Sequence, residues 1–338
     1  MTADGRGSRS APLLLGLSIA ASACGSPERE IASSEAGSDI PADQSIRTAN
    51  PYARGYTDND FPRVQELAPG VYSYEQLRSA GEEKFTTVSL FVVTADGVLV
   101  ADGQGSVEET RRMVERISEI TDEPIRTVVV ASDHGDHTAG NSAFPANAAF
   151  LAHPTSALAL EASAARGREG APPVVLATEL VVDRKIIEMG GKEIHVLFLG
   201  RAHTGGDLLV YLPEEKVMFM SEAYLHRVFP AMRTAFPTEW VEMIESAQAM
   251  DVDIYVPGHG FVDRPAILGQ ELEVYQDALR TVIAEAHRLH GEGLELAEAQ
   301  DQAHFGDLET WSLRSSQGDR ALQQIYAEID GALPAARR

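Results

Sequence analysis

The sequence predicts an α/β or α+β sandwich followed by a helical C-terminal extension. Two observations carry the prediction. Apolar and β-branched runs of strand length recur from residue 86 to residue 256, with helix-period segments between them. Beyond Arg264 the strand pattern stops and only helical spacing remains. A chain of 338 residues, 44% hydrophobic and 23% charged, suits one large domain with an appendage or two small domains.

Residues 1–23 read as an export signal. Arg6 and Arg9 give a positive start, and residues 11–23 form an apolar stretch too short to span a bilayer, ending in small residues. Cys24, the only cysteine, follows Ala21-Ser22-Ala23. This arrangement resembles a bacterial lipoprotein signal, in which the cysteine becomes the lipidated first residue. Ala21 stands where such signals usually carry Leu, so cleavage without lipidation is the alternative. The resemblance implies an exported, periplasmic protein whose one membrane contact is a lipid anchor at Cys24. A lone cysteine forms no intrachain disulfide.

Residues 24–61 are rich in small, polar and acidic residues and are expected to be a disordered linker. Order is expected from about residue 62. Residues 86–94 and 97–103 carry strand signals, and residues 106–120 have helical spacing with Met113, Ile117 and Ile120 on one face. Residues 125–131 and 149–153 are strands, and residues 157–168 are helical. The strand pattern returns at 180–182, 192–199, 208–212 and 217–220. Residues 237–250 form a helix with Trp240, Met243, Ile244 and Ala247 at spacings of three and four. A last strand covers 254–256. Helices follow over 271–289, 295–305 and 318–333. Their apolar residues, including Leu272, Tyr275, Leu279, Trp311 and Leu322, predict packing on the domain rather than a free tail.

The stretch from Ala131 to Asn141 is the most informative. Directly after Val128-Val129-Val130, it places two imidazoles and two carboxylates within five residues, as Asp133-His134-Gly135-Asp136-His137. Imidazole nitrogen with carboxylate oxygen is the ligand mix for zinc, iron or manganese. Two further histidines sit in glycine-rich settings, as His203-Thr204-Gly205-Gly206-Asp207 and Pro257-Gly258-His259-Gly260. Every one of these residues falls where a strand ends, the usual home of chemistry.

The order of these segments resembles the metallo-β-lactamase superfamily over roughly residues 62–265, with residues 266–338 as a helical extension. The resemblance implies an αββα sandwich with the metals at one edge of its two sheets. It also implies a second metal position made by Asp136, His137 and His259, and a first made by His134 and His203. The opening histidine of the family motif is replaced by Ser132, and the bridging carboxylate falls at Glu222, where Asp is commoner. A serine hydroxyl is a poor ligand beside imidazole. Three outcomes follow: two metals with a weak first position, one metal in the second position, or a site without chemistry.

Other residues have plainer roles. Asp133 should point away from His134 by alternation. Asp102 ends a strand and is expected to orient a ligand histidine. Asp207 either does the same for the loop of His203 or caps a turn. His153 is expected in a structural hydrogen bond, and His195 on a sheet surface or in the core. His226 and Arg227 either line the substrate mouth or form an exposed loop pair. His287, His290 and His304 are expected to face solvent.

The net charge of −23, from 51 acids against 28 bases, disfavours nucleic-acid binding, which needs clustered Lys and Arg. The expected partner is a small-molecule substrate. The leading reading is a hydrolase of an ester-like, lactone or amide-like molecule, with one or two zinc ions, or iron or manganese, as cofactor. The cation lowers the pKa of water from about 15.7 toward 7, and Asp136 orients the resulting hydroxide. A mononuclear iron oxygenase of the same fold and a non-catalytic, lipid-anchored binding protein are the alternatives. The family includes lactam, lactone, thioester, phosphodiester and sulfate-ester cleavage, and fold and ligands do not choose among these.

Overall fold

Val128, Val129 and Val130 show how the layers are built. Val129 faces one apolar core, with Leu99 and Val210, while Val128 and Val130 face another, with Met113 and Phe150. A strand buried on both faces reads as a continuous apolar run for this reason. The computed structural model describes residues 46–335 except 168, 169 and 171. Arg6, Arg9, Cys24 and most of the expected linker therefore lie outside the described residues. Among the described residues, no helix is long and apolar enough to cross a membrane.

Twelve strands form one mixed sheet folded into two facing halves. The first half holds β1 (Arg63–Ala68), β2 (Val71–Ala80), β3 (Glu83–Thr94), β4 (Gly97–Ala101), β5 (Ile125–Val130), β6 (Ala149–Ala152) and β7 (Glu179–Leu180). The second holds β8 (Arg184–Met189), β9 (Lys192–Leu197), β10 (Leu209–Leu212), β11 (Val217–Leu225) and β12 (Ile254–His259). The order runs β7-β6-β5-β4-β3-β12-β11-β10-β9-β8, with β2 on β3 and β1 on β2. The halves join where His259 pairs with Thr87.

Helices cover both outer faces. The first face carries α1 (Val107–Ile120), the single turn α2 (Gly135–Thr138) and α3 (Pro154–Arg166). Ser106 caps α1 by accepting from the Glu109 amide at 3.1 Å, and its hydroxyl donates to the Glu109 carboxylate. Such a cap contributes about 0.5–2 kcal/mol. The second face carries α4 (Pro237–Gln248), α5 (Pro265–Gly291), α6 (Leu296–Gln302) and α7 (Arg314–Ile329). Trp240, Tyr275, Leu279 and Leu322 meet Met218, Met220 and Tyr224 of β11 in one core. The Trp240 indole donates to the Ala223 carbonyl at 2.9 Å, which gives this large ring both its burial and its polar partner. The result is the expected αββα sandwich, with the C-terminal helices packed on it.

Three departures from the sequence reading stand out. Residues 46–61, placed in the linker, are packed: Ala49 is buried in the core and Arg54 makes a two-pronged ion pair with Asp263. The long hairpin of β2 and β3 was only half visible, since the β2 sequence mixes polar residues into its alternation. β8 escaped notice because it pairs with β9 alone at the sheet edge and leaves Arg184, Ile186 and Glu188 exposed.

Candidate metal centre

Four segments converge at one edge of the sheets. The loop after β5 and the turn α2 bring His134, Asp136 and His137. The loop between β9 and β10 brings His203, β11 brings Glu222, and the end of β12 brings His259. These six side chains form two groups whose ligand atoms lie within 4.8 Å of one another: His134, His203 and Glu222, and Asp136, His137, Glu222 and His259.

Two backbone features aim Glu222 and His259. Ser221 has a left-handed φ of 47°, and the β11–β12 register shifts beside it. This turns β11 after Phe219 and sends Glu222 into the cluster. Gly258 packs so closely that a Cβ there would lie 2.3 Å from the Ser221 carbonyl carbon. The glycine next to His259 is thus required by close approach of two backbones.

Glu222 belongs to both groups. Its Oε1 lies 3.1 Å from His203 Nε2 and 3.4 Å from His259 Nε2, and its Oε2 lies 3.0 Å from His134 Nδ1. Ser132, fully buried, donates to the same Oε2 at 2.5 Å. Asp136 Oδ2 stands 3.3 Å from His259 Nε2, and His137 Nε2 faces His259 Nε2 at 3.5 Å.

The surrounding hydrogen bonds point ring lone pairs inward. His259 Nδ1 donates to the Thr86 carbonyl at 2.9 Å, which leaves Nε2 to face two carboxylates. Thr234 donates to the His203 carbonyl, so its oxygen accepts from His134 Nε2 at 3.2 Å and frees Nδ1 for the cluster. His137 Nδ1 lies 3.1 Å from Asp102 Oδ2, at an angle poor for a hydrogen bond. Asp102 also accepts from the Ala131 amide and the Ser221 hydroxyl, tying β5 to β11. His203 Nδ1 is buried without a hydrogen-bond partner among the described residues, its ring edge-on to Trp240.

Lone pairs and carboxylates facing one another in a buried space call for positive charge between them. Burial opposes charge on His134 and His259, yet the carboxylates win, raising His134 to about 9 and His259 to about 10. Burial likewise opposes ionisation of Glu222, but His203, His134 and His137 hold it well below the usual carboxylate range. A proton or a divalent cation meets this demand. The nitrogen and oxygen donors fit zinc, iron or manganese, and the residues present therefore fit a metal.

The other singled-out residues separate cleanly. Asp133 joins neither group; burial raises its carboxyl to about 6. Asp207 accepts from the Thr204 amide and hydroxyl, bracing the loop of His203. His153 accepts from the Thr155 amide and stacks on Phe198. His195 pairs with Glu193 on the sheet surface. His290 pairs with Asp330, and His304 is exposed beside Glu309. His226 and Arg227 do not line the cleft and are no exposed pair: His226 is buried, and Arg227 bonds Glu271 of α5. Thr234 and Ser221 belong to no motif and went unnoticed in the sequence.

The cluster opens into a cleft of about 270 Å³. Phe85, Leu225, Val228, Ala231 and Leu313 give it apolar walls, and Arg78, Arg233 and Arg320 also line it. Arg78 reaches to 3.7 Å from Asp136 Oδ2 and from Glu109.

Comparison with known proteins places this geometry. The chain is 27% identical over 168 residues to the alpha subunit of 2,4-dinitroanisole O-demethylase from Nocardioides sp. (strain JS1661), a match covering 48% of this chain and 49% of that one. The chain thus spans about half the length of that relative. Among solved structures, a metallo-beta-lactamase from Pontibacter korlensis superposes with a TM-score of 0.56 at 20% identity, covering 64% of this chain and 99% of that one. A stereoselective inverting sec-alkylsulfatase from Pseudomonas sp. superposes with a TM-score of 0.61 at 15% identity, covering 80% of this chain and 50% of that one. At these identities the structural likeness speaks for the fold alone. The family model of the metallo-beta-lactamase superfamily matches residues 83–259, just over half of the sequence and the whole span from β3 to the last cluster histidine. The chain belongs to the metallo-beta-lactamase superfamily.

Proposed function

We propose that this protein is a metal-dependent hydrolase of a small ester-like, lactone or amide-like molecule, with zinc as its cation. The observation that carries the reading is Glu222, shared between two imidazole–carboxylate groups on the floor of an open cleft. His134, His203 and Glu222 would hold one cation, and Asp136, His137, His259 and Glu222 another. Bound there, a divalent cation supplies a water acid enough to ionise near neutral pH and polarises the group under attack.

The chain's own residues do the rest. Burial and Glu222 favour the neutral form of Asp136, but His259 and His137 hold its carboxyl well below the usual range. Asp136 therefore positions the attacking water rather than storing a proton. Arg78 beside it steadies that orientation. The water oxygen bonds to the electrophilic centre, the ester or amide bond breaks with its electron pair going to the leaving group, and a proton from the water ends on that leaving group.

The test is chelator-sensitive hydrolysis of p-nitrophenyl acetate and simple lactones by the zinc-loaded protein. Asp136→Ala and His259→Ala should each abolish it. Less than one metal equivalent after purification with zinc present would remove the hydrolase reading. One observation favours a second reading, an iron-dependent oxygenase: His134, His203 and Glu222 make a two-histidine, one-carboxylate set, as non-haem iron sites do. Iron after anaerobic purification, with oxygen uptake on substrate addition, would select it.

We also propose export with lipidation at Cys24, supported by the signal-like residues before it. Cys24→Ala should move the protein from the membrane fraction to the soluble one.

A further inference from the structure

We infer that the cleft takes a small organic anion, an apolar body with an oxyanion head group that Arg233 and Arg320 hold at the mouth. The inference rests on the hydrolase reading for what becomes of the bound molecule, but not for its binding.

The two arginines come from different parts of the chain. Arg233 lies on the segment between β11 and α4, and Arg320 on α7. Both are exposed, and neither has an acidic partner among the described residues. Other arginines in the fold are committed to acids, Arg54 to Asp263, Arg201 to Glu239, Arg227 to Glu271 and Arg314 to Glu309. Two guanidinium groups without an acidic partner, on the lining of one cleft, are placed to meet an anion from outside. The guanidinium fork matches the paired oxygens of a carboxylate, sulfate or phosphate head.

Apolar side chains also line the cleft. Leu313, Gln317 and Arg320 line the cleft at spacings of four and three, one face of the start of α7. That start is firmly held: the Leu313 amide donates to Glu83 at 2.7 Å, and the Arg314 guanidinium lies over Phe305. With Phe85, Leu225 and Val228, Leu313 gives the body of the molecule an apolar bed, while the arginines take its charged end. A neutral substrate would leave both guanidinium groups without a role.

Calorimetric titration of the zinc-loaded protein tests this with probes that cannot be hydrolysed. Hexane-1-sulfonate, hexanoate and hexylphosphonate present the three head groups; 1-hexanol and inorganic sulfate are the controls. At least one anionic probe should bind about tenfold or more tightly than 1-hexanol or inorganic sulfate, and should weaken as salt rises. The Arg233→Ala/Arg320→Ala protein should lose about tenfold of that affinity, and the double Lys variant should keep part of it. Equal binding of 1-hexanol, or unchanged affinity in the double Ala protein, overturns the proposal. Arginine-dependent anion binding with no hydrolysis of any ester would retain the anion site and discard the hydrolase reading. Hydrolysis of neutral esters at equal rates in wild type and the double Ala protein would do the reverse.

Discussion

The hydroxyl of Ser132 donates to the carboxylate of Glu222, 90 positions away in the chain, in a fully buried contact. Where the superfamily motif resembled in the sequence opens with a ligand histidine, this protein has a small donor that fixes the longer carboxylate. The extra methylene of Glu222 and the short side chain of Ser132 compensate each other in space. Ser132→Ala should therefore keep the fold but weaken metal affinity by about 10–100-fold, the usual cost of losing a bond that orients a ligand. Competition with a chelator, beside an unchanged circular dichroism spectrum, measures it.

Thr234 relays between two candidate ligands. Its oxygen accepts from His134 Nε2, and its proton goes to the His203 carbonyl. Thr234→Val conserves shape and removes both bonds. Metal affinity should drop by about tenfold or more, with Thr234→Ser restoring most of it. A Val variant that binds metal like wild type would dismiss this role.

Gly258 separates β12 from the turned backbone at Ser221 by less than a methyl group's width. Gly258→Ala must push one of two backbones aside. A destabilisation of about 1–3 kcal/mol or more is expected from such overpacking, read from urea denaturation midpoints. Gly135, which has open space at its Cβ, serves as the control, and Gly135→Ala should stay within about 0.5 kcal/mol.

Glu271 predicts part of the acid limit of stability. Burial would raise its carboxyl, but the neighbouring His226 and the hydrogen bonds from Arg227 hold it at about 2, against an ordinary 4.5. The unfolded chain then takes up its proton first as pH falls. Glu271 contributes fully above pH 4.5, and that contribution fades as pH falls toward 2. The gap in thermal midpoint between wild type and Glu271→Gln should shrink across this window.

The continuous apolar run of Val128 to Val130 was legible because its strand is buried on both faces, and the stripe of Trp240, Met243, Ile244 and Ala247 because its helix buries one face at helical period. Five of the six cluster residues were legible because their side-chain chemistry is dense and their setting glycine-rich, whereas Glu222, in an apolar strand, was reached only through the family resemblance. Thr234 was not, since a threonine in a loop carries no signal until His134 and His203 close around it. The packing of residues 46–61 was hidden for a related reason. Arg47 and Arg54 anchor that polar segment through Glu271 and Asp263, partners more than 200 positions away that no local pattern reveals.

The placement of Leu313, Gln317 and Arg320 on the cleft wall divides labour along the gene. The span matched to the superfamily, residues 83–259, carries the whole histidine and carboxylate cradle, while these three wall residues come from beyond it. Exchanging the last helix would reshape the wall of the cleft while leaving every residue of the cradle in place.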